Sequence, residues 1–298
     1  RYLSDRADAY QNVRCVLDGA KSLLMLGIDY RTAEPRPGEG GKGRISRYAW
    51  GADYHEVVRS KLRALAEVHR SRCPGAQVRG VVDTAPLLER QYAQLAGLGW
   101  IGKNTLLLNR EHGSWFFLAA LLTTEVLDYD EPAGDDACGA CRACLDACPT
   151  GALVAPGVLD ARRCLSYLTI ELRGPVPPEL REGVGDRLFG CDVCQEVCPW
   201  NRHQTARGEA AFGPSPGNDP VDLAALFALA TPAVAQDTNA AAATPDDSET
   251  TASANSNDLI VTARRRDETV QDVPIAISVV GGEQIDNTGA FNVGRLTQ

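Results

Sequence analysis

Ten cysteines stand in the 298 residues of the chain, and eight of them fall between positions 138 and 198. Cys138, Cys141, Cys144 and Cys148 read C-x2-C-x2-C-x3-C-P. Cys191, Cys194 and Cys198 form a second run, C-D-V-C-Q-E-V-C-P, and Cys164 stands between the two. A [4Fe–4S] cube takes four thiolates, so eight thiolates make two cubes. In the bacterial ferredoxin spacing, three cysteines of a run hold one cube and the fourth crosses to the other. By that logic Cys138, Cys141, Cys144 and Cys198 hold one cluster, and Cys148, Cys164, Cys191 and Cys194 hold the second. Zinc and disulfides are the plainer alternatives. Two C-x2-C pairs alone suit a zinc ribbon. The x2-x2-x3-C-P run fits zinc poorly, and disulfides between residues three apart are strained.

Thiolates meant for clusters must stay reduced until iron arrives, which favours the cytosol. Cys15 and Cys73 are left over and read as buried or inert thiols. Of the net charge of −9, residues 1–228 carry −3 and residues 229–298 carry −6. So acidic a balance is unusual for a nucleic-acid binder, although it leaves room for a local basic patch. No apolar run reaches transmembrane length. The first residues, from Arg1, already read as the middle of a fold, so an N-terminal truncation is expected.

The elements that must position this chemistry precede the cysteines. The apolar run 22–30 predicts a buried strand, and the Pro- and Gly-rich stretch 31–43 a surface loop. A helix follows over EVVRSKLRALAEVHRS, with Val57, Leu62, Leu65 and Val68 near one face. R-G-V-V-D (79–83) predicts a second strand. Its D-T-A-P continuation reads as a helix start, capped by Asp83 or Thr84 with Pro86 in the first turn. Residues 97–103, G-L-G-W-I-G-K, match G-x-G-x-x-G, but a helical segment precedes them and the strand-like N-T-L-L-L-N follows. That order inverts the dinucleotide motif. A turn bringing backbone close to a ligand, or plain turn glycines, remain. Residues 114–124 predict a further strand. Strands and helices followed by a ferredoxin module make an α+β fold.

With these residues in view, the chain resembles the epoxyqueuosine reductase family. The matching blocks are S-R-Y-A-W-G-A-D-Y-H (46–55), V-D-T-A-P-L-L-E-R (82–90), A-G-L-G-W-I-G-K-N (96–104), the first cysteine run with its P-T-G-A, D-A-R-R-C-L-S-Y-L-T-I-E-L (160–172) and G-C-D-V-C-Q-E-V-C-P-W-N (190–201). The resemblance implies a cobalamin-binding reductase domain with a two-[4Fe–4S] module. The implied reaction converts epoxyqueuosine to queuosine at the wobble position of the tRNA anticodon loop. Electrons enter through the clusters and pass to cobalamin, and a carboxylic acid supplies a proton. That acid maps onto Asp83. An Asp beside a bulky apolar cofactor is desolvated, which favours its protonated form. The resemblance also implies cofactor contacts at Ser46, Arg47, Tyr48, Lys103 and Ser166, with Tyr54 and His55 nearby. Lys103 would meet a phosphate, and Arg162, Arg163 and Arg173 the tRNA backbone. Plainer readings stand beside these: Asp83 as a helix cap, Tyr54 and His55 as a hydrogen-bonded pair, Lys103 as a solvated lysine.

The chain changes character after residue 223. L-A-A-L-F-A-L-A-T-P-A-V-A-Q resembles the end of a signal peptide. Residues 236–257 hold no Val, Ile, Leu, Met, aromatic residue or Cys, which predicts disorder. The remainder resembles the start of a TonB-dependent receptor plug, with one or two strands near Pro274–Val280 lacking a partner sheet. The expected domains are therefore 1–130 (cobalamin-binding), 131–205 (two [4Fe–4S] clusters), 206–230 (the truncated start of a C-terminal region), 231–257 (a disordered linker) and 258–298 (a plug-like fragment). The expected partners are tRNA and an unidentified electron donor, with no membrane for residues 1–230, a monomeric state and a cytoplasmic location. A reductive dehalogenase-like corrinoid enzyme and a ferredoxin-type carrier are the rival functions. Against the carrier, some 130 residues precede the clusters.

Overall fold

The computed structural model describes residues 9–10, 12–35, 40–134, 137–202, 206–218, 220–225 and, for the backbone alone, 275–281. In chain order its strands are β1 (Ser22–Asp29), β2 (Lys42–Ile45), β3 (Val78–Val81), β4 (Trp100–Ile101), β5 (Leu107–Leu108), β6 (Phe116–Thr123), β7 (Leu153–Ala155), β8 (Val158–Leu159), β9 (Arg187–Phe189), β10 (Val221–Asp222) and β11 (Ile275–Gly281). Its helices are α1 (Tyr54–Arg72), α2 (Glu89–Leu95), α3 (Ala143–Ala147), α4 (Leu165–Ile170), α5 (Arg181–Val184), α6 (Val193–Glu196) and α7 (Pro199–Arg202).

A four-stranded sheet in the order β11–β1–β6–β3 forms the centre, each neighbouring pair antiparallel. All eight residues of β1 are buried because both faces of the sheet are covered. Alternate side chains point to opposite faces. Leu23 and Met25, with Ala120 and Leu122, meet Tyr92, Ala93 and Ala96 of the α2 region. Leu24, Leu26 and Ile28, with Ala119 and Leu121, meet Val58, Leu62, Leu65 and Ala66 of α1. The mixed helix-and-strand class is as the sequence predicts.

The apolar stripe of α1 sits slightly off the expected face. Positions 58, 62, 65 and 66 are buried, while Val68 is 39% exposed. An i, i+4, i+7, i+8 set makes one stripe at 3.6 residues per turn, and residue 68 falls beyond its edge. Asp53 caps the helix by accepting from His55 N at 2.9 Å. His69, Arg70 and Arg72 close its last turn, where cations complement the helix dipole.

Two expectations are corrected. The second helix starts at Glu89, not at Pro86, and Asp83 is no cap. Instead Asp83 adopts φ +56°, and Thr84 N bonds Val82 O at 2.6 Å in a tight reversal. The N-T-L-L-L-N strand shrinks to β5, which pairs with β4 in a short hairpin. A Cβ on Gly99 would lie 2.0 Å from Leu108 O, so that glycine serves the approach of the two strands.

The cysteine-bearing half is sewn onto the sheet domain. β2 pairs in parallel with β9 and antiparallel with β10, so an early strand lies between two late ones. At the other edge β11 pairs antiparallel with β1 from Ser22↔Gly281 to Ile28↔Ile275. The strand expected near Pro274–Val280 therefore has a partner sheet. The expected linker 231–257 and the rest of 258–298 lie outside the described residues. Cys15, expected to be buried or inert, is exposed, and Cys73 is half-buried. Among the described residues, no helix is long and apolar enough to cross a membrane.

Candidate functional site

The eight cysteines sit on short elements joined by tight turns. Cys138 and Cys141 flank a turn closed by Cys141 N to Cys138 O at 3.0 Å, with Gly139 at φ +48°. Cys144 lies on α3, and Cys148 directly follows it. Cys164 caps α4. Cys191 follows Gly190 at φ +73°, Cys194 lies on α6, and Cys198 precedes α7. Burial pushes the Cys194 thiol far up, reinforced by Cys191 and Cys164, then Asp192 and Cys144. Burial also raises Cys198, reinforced by Cys138, Cys144 and Cys141. Cys191 is raised by burial and feels Cys164. Among the described residues no three His, Cys, Asp or Glu side chains converge on a single-ion site. Thiolates around a cube are held apart by the iron and sulfide between them. The donor set, eight thiols and no other ligand type, fits two [4Fe–4S] clusters.

Asp83 heads a second group. Tyr54 Oη donates to Asp83 Oδ2 at 2.9 Å. His55 Nε2 lies 3.4 Å from the same oxygen, and His55 Nδ1 lies 2.8 Å from Asp53 Oδ1. Tyr54 is clamped between His55 (ring centroids 4.0 Å) and Phe117 (4.3 Å). Burial, then the Asp83 charge, pushes the Tyr54 phenol well above its ordinary range, so it stays a donor. When Nδ1–H of His55 donates to Asp53, Nε2 of a neutral ring presents a lone pair to Asp83. The pair then holds together only with a proton on Nε2 or on Asp83. The expected desolvation of Asp83 is not a property of the chain itself, because its side chain is 62% exposed.

The backbone of this group is strained. A non-glycine residue in the left-handed region costs about 1–3 kcal/mol and persists only when its surroundings over-determine it. Glu89 supplies one restraint by accepting Asp83 N–H at 3.0 Å. Its half-buried carboxyl is pushed up to about 7, mainly by burial.

The expected cofactor contacts divide. Ser46 and Arg47 are buried, at 6% and 5% exposure, and are engaged internally. Ser46 Oγ donates to Asp192 Oδ1, and Arg47 N to Asp192 Oδ2 at 2.8 Å. The Arg47 guanidinium lies 4.3 Å from the Trp115 ring centroid and 3.3 Å from Glu34. Both residues thus bind the protein to itself. Lys103 is also engaged internally. Its ammonium donates to Gly139 O and, at 3.0 Å, to Cys141 O, holding the first cysteine turn rather than facing a phosphate. Tyr48 stays at the half-buried face. A Cβ on Gly190 would lie 3.3 Å from Tyr48 Cε1. The Tyr48 phenol is pushed up to about 12 by burial, then by Asp192, Glu171 and Asp83. Its ring packs against Phe189, with centroids 6.1 Å apart. Ser166 is half-buried on α4, two residues after Cys164. Arg162 pairs with Asp160 at 2.9 Å and Arg173 is exposed.

Polar bonds lock the two halves together. Asn201 Oδ1 accepts Ser114 N at 2.8 Å, and its Nδ2 donates to Ser114 Oγ at 2.9 Å and Gln195 O at 2.8 Å. Gln195 Oε1 accepts from Ser114 Oγ at 2.9 Å and Tyr30 Oη at 3.3 Å. Trp100, Leu108 and Cys198 share a small core with Trp200.

Comparison with known proteins bears on both halves. Residues 11–84 match the family model described as Epoxyqueuosine reductase QueG, DUF1730, and residues 137–201 match a 4Fe-4S double cluster binding domain. The epoxyqueuosine reductase of Synechocystis sp. is 43% identical over 210 residues, covering 70% of this chain and 72% of that protein. The chain belongs to the epoxyqueuosine reductase family. Members from Pseudomonas aeruginosa and Escherichia coli K12 are 47% and 50% identical over 216 and 186 residues. Those alignments cover 71% and 62% of this chain but 60% and 49% of those proteins, so the chain spans about half to three fifths of their length. A crystal structure of a family member with a tRNA-Tyr epoxyqueuosine-modified stem loop superposes at TM-score 0.67 with 38% identity, over 72% of this chain and 58% of that one. The Bacillus subtilis member, with its catalytic aspartate loop swung out of the active site, gives TM-score 0.67 at 34% identity, over 76% and 64%.

Three groups of this site escape a reading of sequence alone. Glu89 looks like one more charge in L-L-E-R. Asp192 reads as a spacer between two cysteines. Asn201 follows a C-P-W motif whose cysteine draws the attention. Only the fold brings Asp192 to Ser46 and Asn201 to Ser114.

Proposed function

We propose that this chain is the reductase-and-cluster portion of an enzyme that reduces epoxyqueuosine to queuosine at the tRNA wobble position. The observations that carry the reading are the eight cysteines spaced for two clusters and the convergence of Tyr54 and His55 on the Asp83 carboxyl. In the reaction both epoxide C–O bonds break, a C=C bond forms, and two electrons and two protons release the oxygen as water. Residues 131–205 hold the two clusters and admit electrons one at a time from a donor protein. The assignment of Cys138, Cys141, Cys144 and Cys198 to one cube, and of Cys148, Cys164, Cys191 and Cys194 to the other, is supported by the thiols that raise Cys198 and Cys194.

Cobalamin is the group proposed for the open face of residues 1–130, held near Tyr48 and Ser166; when bound it supplies reducing equivalents to the epoxide carbon. The chain's own residues handle the proton. Asp83 hands it to the departing oxygen, with Tyr54 and His55 fixing the carboxyl and replenishing it. Positioned acid catalysis of this kind contributes roughly 10²–10⁴-fold. Exposed Arg162, Arg163 and Arg173 serve the tRNA backbone, and the cytoplasm supplies the tRNA.

The test is anaerobic reconstitution with iron, sulfide and cobalamin, followed by assay on an epoxyqueuosine-bearing anticodon stem loop. About eight irons per chain, a bound corrin and queuosine formation support the reading. Zinc, or four irons or fewer, rejects it.

A further inference from the structure

Asp83 needs something to hold its backbone. It sits at φ +56° on an exposed turn, and of its main-chain and side-chain bonds only one grips its own N–H. That partner is Glu89 Oε1 at 3.0 Å, six residues on, at the first position of α2. Helix α2 is anchored by Tyr92, Ala93 and Ala96 in the core, so Glu89 offers a fixed point to an exposed turn. The far end of the same residue meets Tyr54 and His55. Asp83 is thus held at its amide by Glu89 and at its carboxyl by α1.

We propose that Glu89 is a latch: a positioning residue whose carboxylate keeps Asp83 in its left-handed turn, aimed at Tyr54 and His55, and whose protonation loosens that turn. The latch rests on the reading of Asp83 as the proton donor. Three groups face the Glu89 carboxyl. Asp83 opposes its ionisation by charge while its N–H favours it, Arg90 favours it, and Tyr54 lies within reach of its field. Arg90 does not form the alternative partner, since its guanidinium donates to Thr105 O. An ionised acceptor makes a hydrogen bond about twice as strong as a neutral one. The grip therefore strengthens as pH rises through about 7 and slackens below it.

The test is amide hydrogen exchange at Asp83 in the intact chain, read from overlapping peptides across residues 80–88 and corrected for the intrinsic pH dependence. Wild type should show protection that rises between pH 5.5 and 8.5. Glu89→Gln keeps a neutral acceptor, so its protection should stay flat at the low-pH level of wild type. Glu89→Ala removes the acceptor, and Asp83 should exchange faster than wild type at pH 8.5 by roughly 3- to 10-fold, as loss of a hydrogen bond of ordinary net strength implies. Equal protection in wild type and Glu89→Ala overturns the latch, and so does a wild-type profile as flat as that of Glu89→Gln. Should Glu89→Ala fail to fold, the comparison of wild type with Glu89→Gln still decides. The exchange measurement needs no turnover. A chain that makes no queuosine, or an Asp83→Asn variant that does, counts against the functional reading and not against the latch.

Discussion

Two carboxylates six residues apart do different work because their surroundings differ. Asp83 is exposed and held by a phenol and an imidazole, whereas Glu89 is half-buried and holds a backbone N–H. Asp83→Asn keeps the shape of the turn and removes the proton. Both clusters and cobalamin should still bind while turnover falls by about 10²-fold or more, read by iron content, corrin absorbance and queuosine formation. His112 poses a second question of charge. Its Nδ1 lies 2.9 Å from Asp29 Oδ2, a bond that raises its basicity against an opposing effect of burial. A histidine raised on folding adds stability fully present below the unfolded value of about 6.5, lost as pH rises through the folded value. Urea midpoints for wild type should therefore fall between pH 6 and pH 8 by more than those of His112→Asn. Equal slopes would remove His112 from the pH response. At this scale the sequence is a good guide to reactive types and a poor one to commitments. The cysteines are legible because their spacing is local, whereas the role expected of Asp83 comes from the resemblance alone. The internal partners of Ser46, Arg47 and Lys103, which are Asp192 and the carbonyls of Gly139 and Cys141, are not legible because they lie far away along the chain.

The elements were legible where periodicity is long and blurred where a turn decides. β1, α1 and β6 stand where continuous or 3.6-period apolar runs place them. The segment 82–89 does not, since D-T-A-P carries the signals of a helix start while the chain reverses first and enters α2 six residues later. The β2–β9 pairing is invisible locally, because neither three- or four-residue strand has a pattern of its own. The weld between elements also hangs on few atoms. Asn201 is 3% exposed and joins the β5–β6 connection to α6 and α7 through Ser114 and Gln195. Asn201→Ala strands Ser114 N without a partner, while Gln195 O keeps the Cys198 N–H at 3.1 Å. A buried group so stranded costs about 1–3 kcal/mol, and the variant should show a correspondingly lower urea midpoint. Asn201→Asp, which keeps the acceptor for Ser114 N, should lose less if that bond dominates.

For the whole molecule, the crossing of cysteines between the two clusters decides how the halves depend on each other. Cys198 lies at the far end of the second run but shares a small core with Trp100, Leu108 and Cys138. Its thiol feels Cys138, Cys144 and Cys141 after burial, while Cys194, four residues earlier, feels Cys191 and Cys164 first and Cys144 last. On the proposed division, adjacent thiols of one short run serve different clusters, and both runs must be in place before either cube is complete. Because iron binds thiolates and not thiols, iron uptake releases protons and should speed up with pH. Pairs of substitutions test the crossing better than single ones. If Cys138 and Cys198 share a cube, Cys138→Ala with Cys198→Ala removes one cluster twice over, leaving about four irons of eight. Cys191→Ala with Cys198→Ala then strikes both cubes and leaves close to none. If each run instead held its own cube, the outcomes would exchange: the first pair would abolish iron binding and the second would spare about four. Iron counted on anaerobically reconstituted double variants separates the two arrangements.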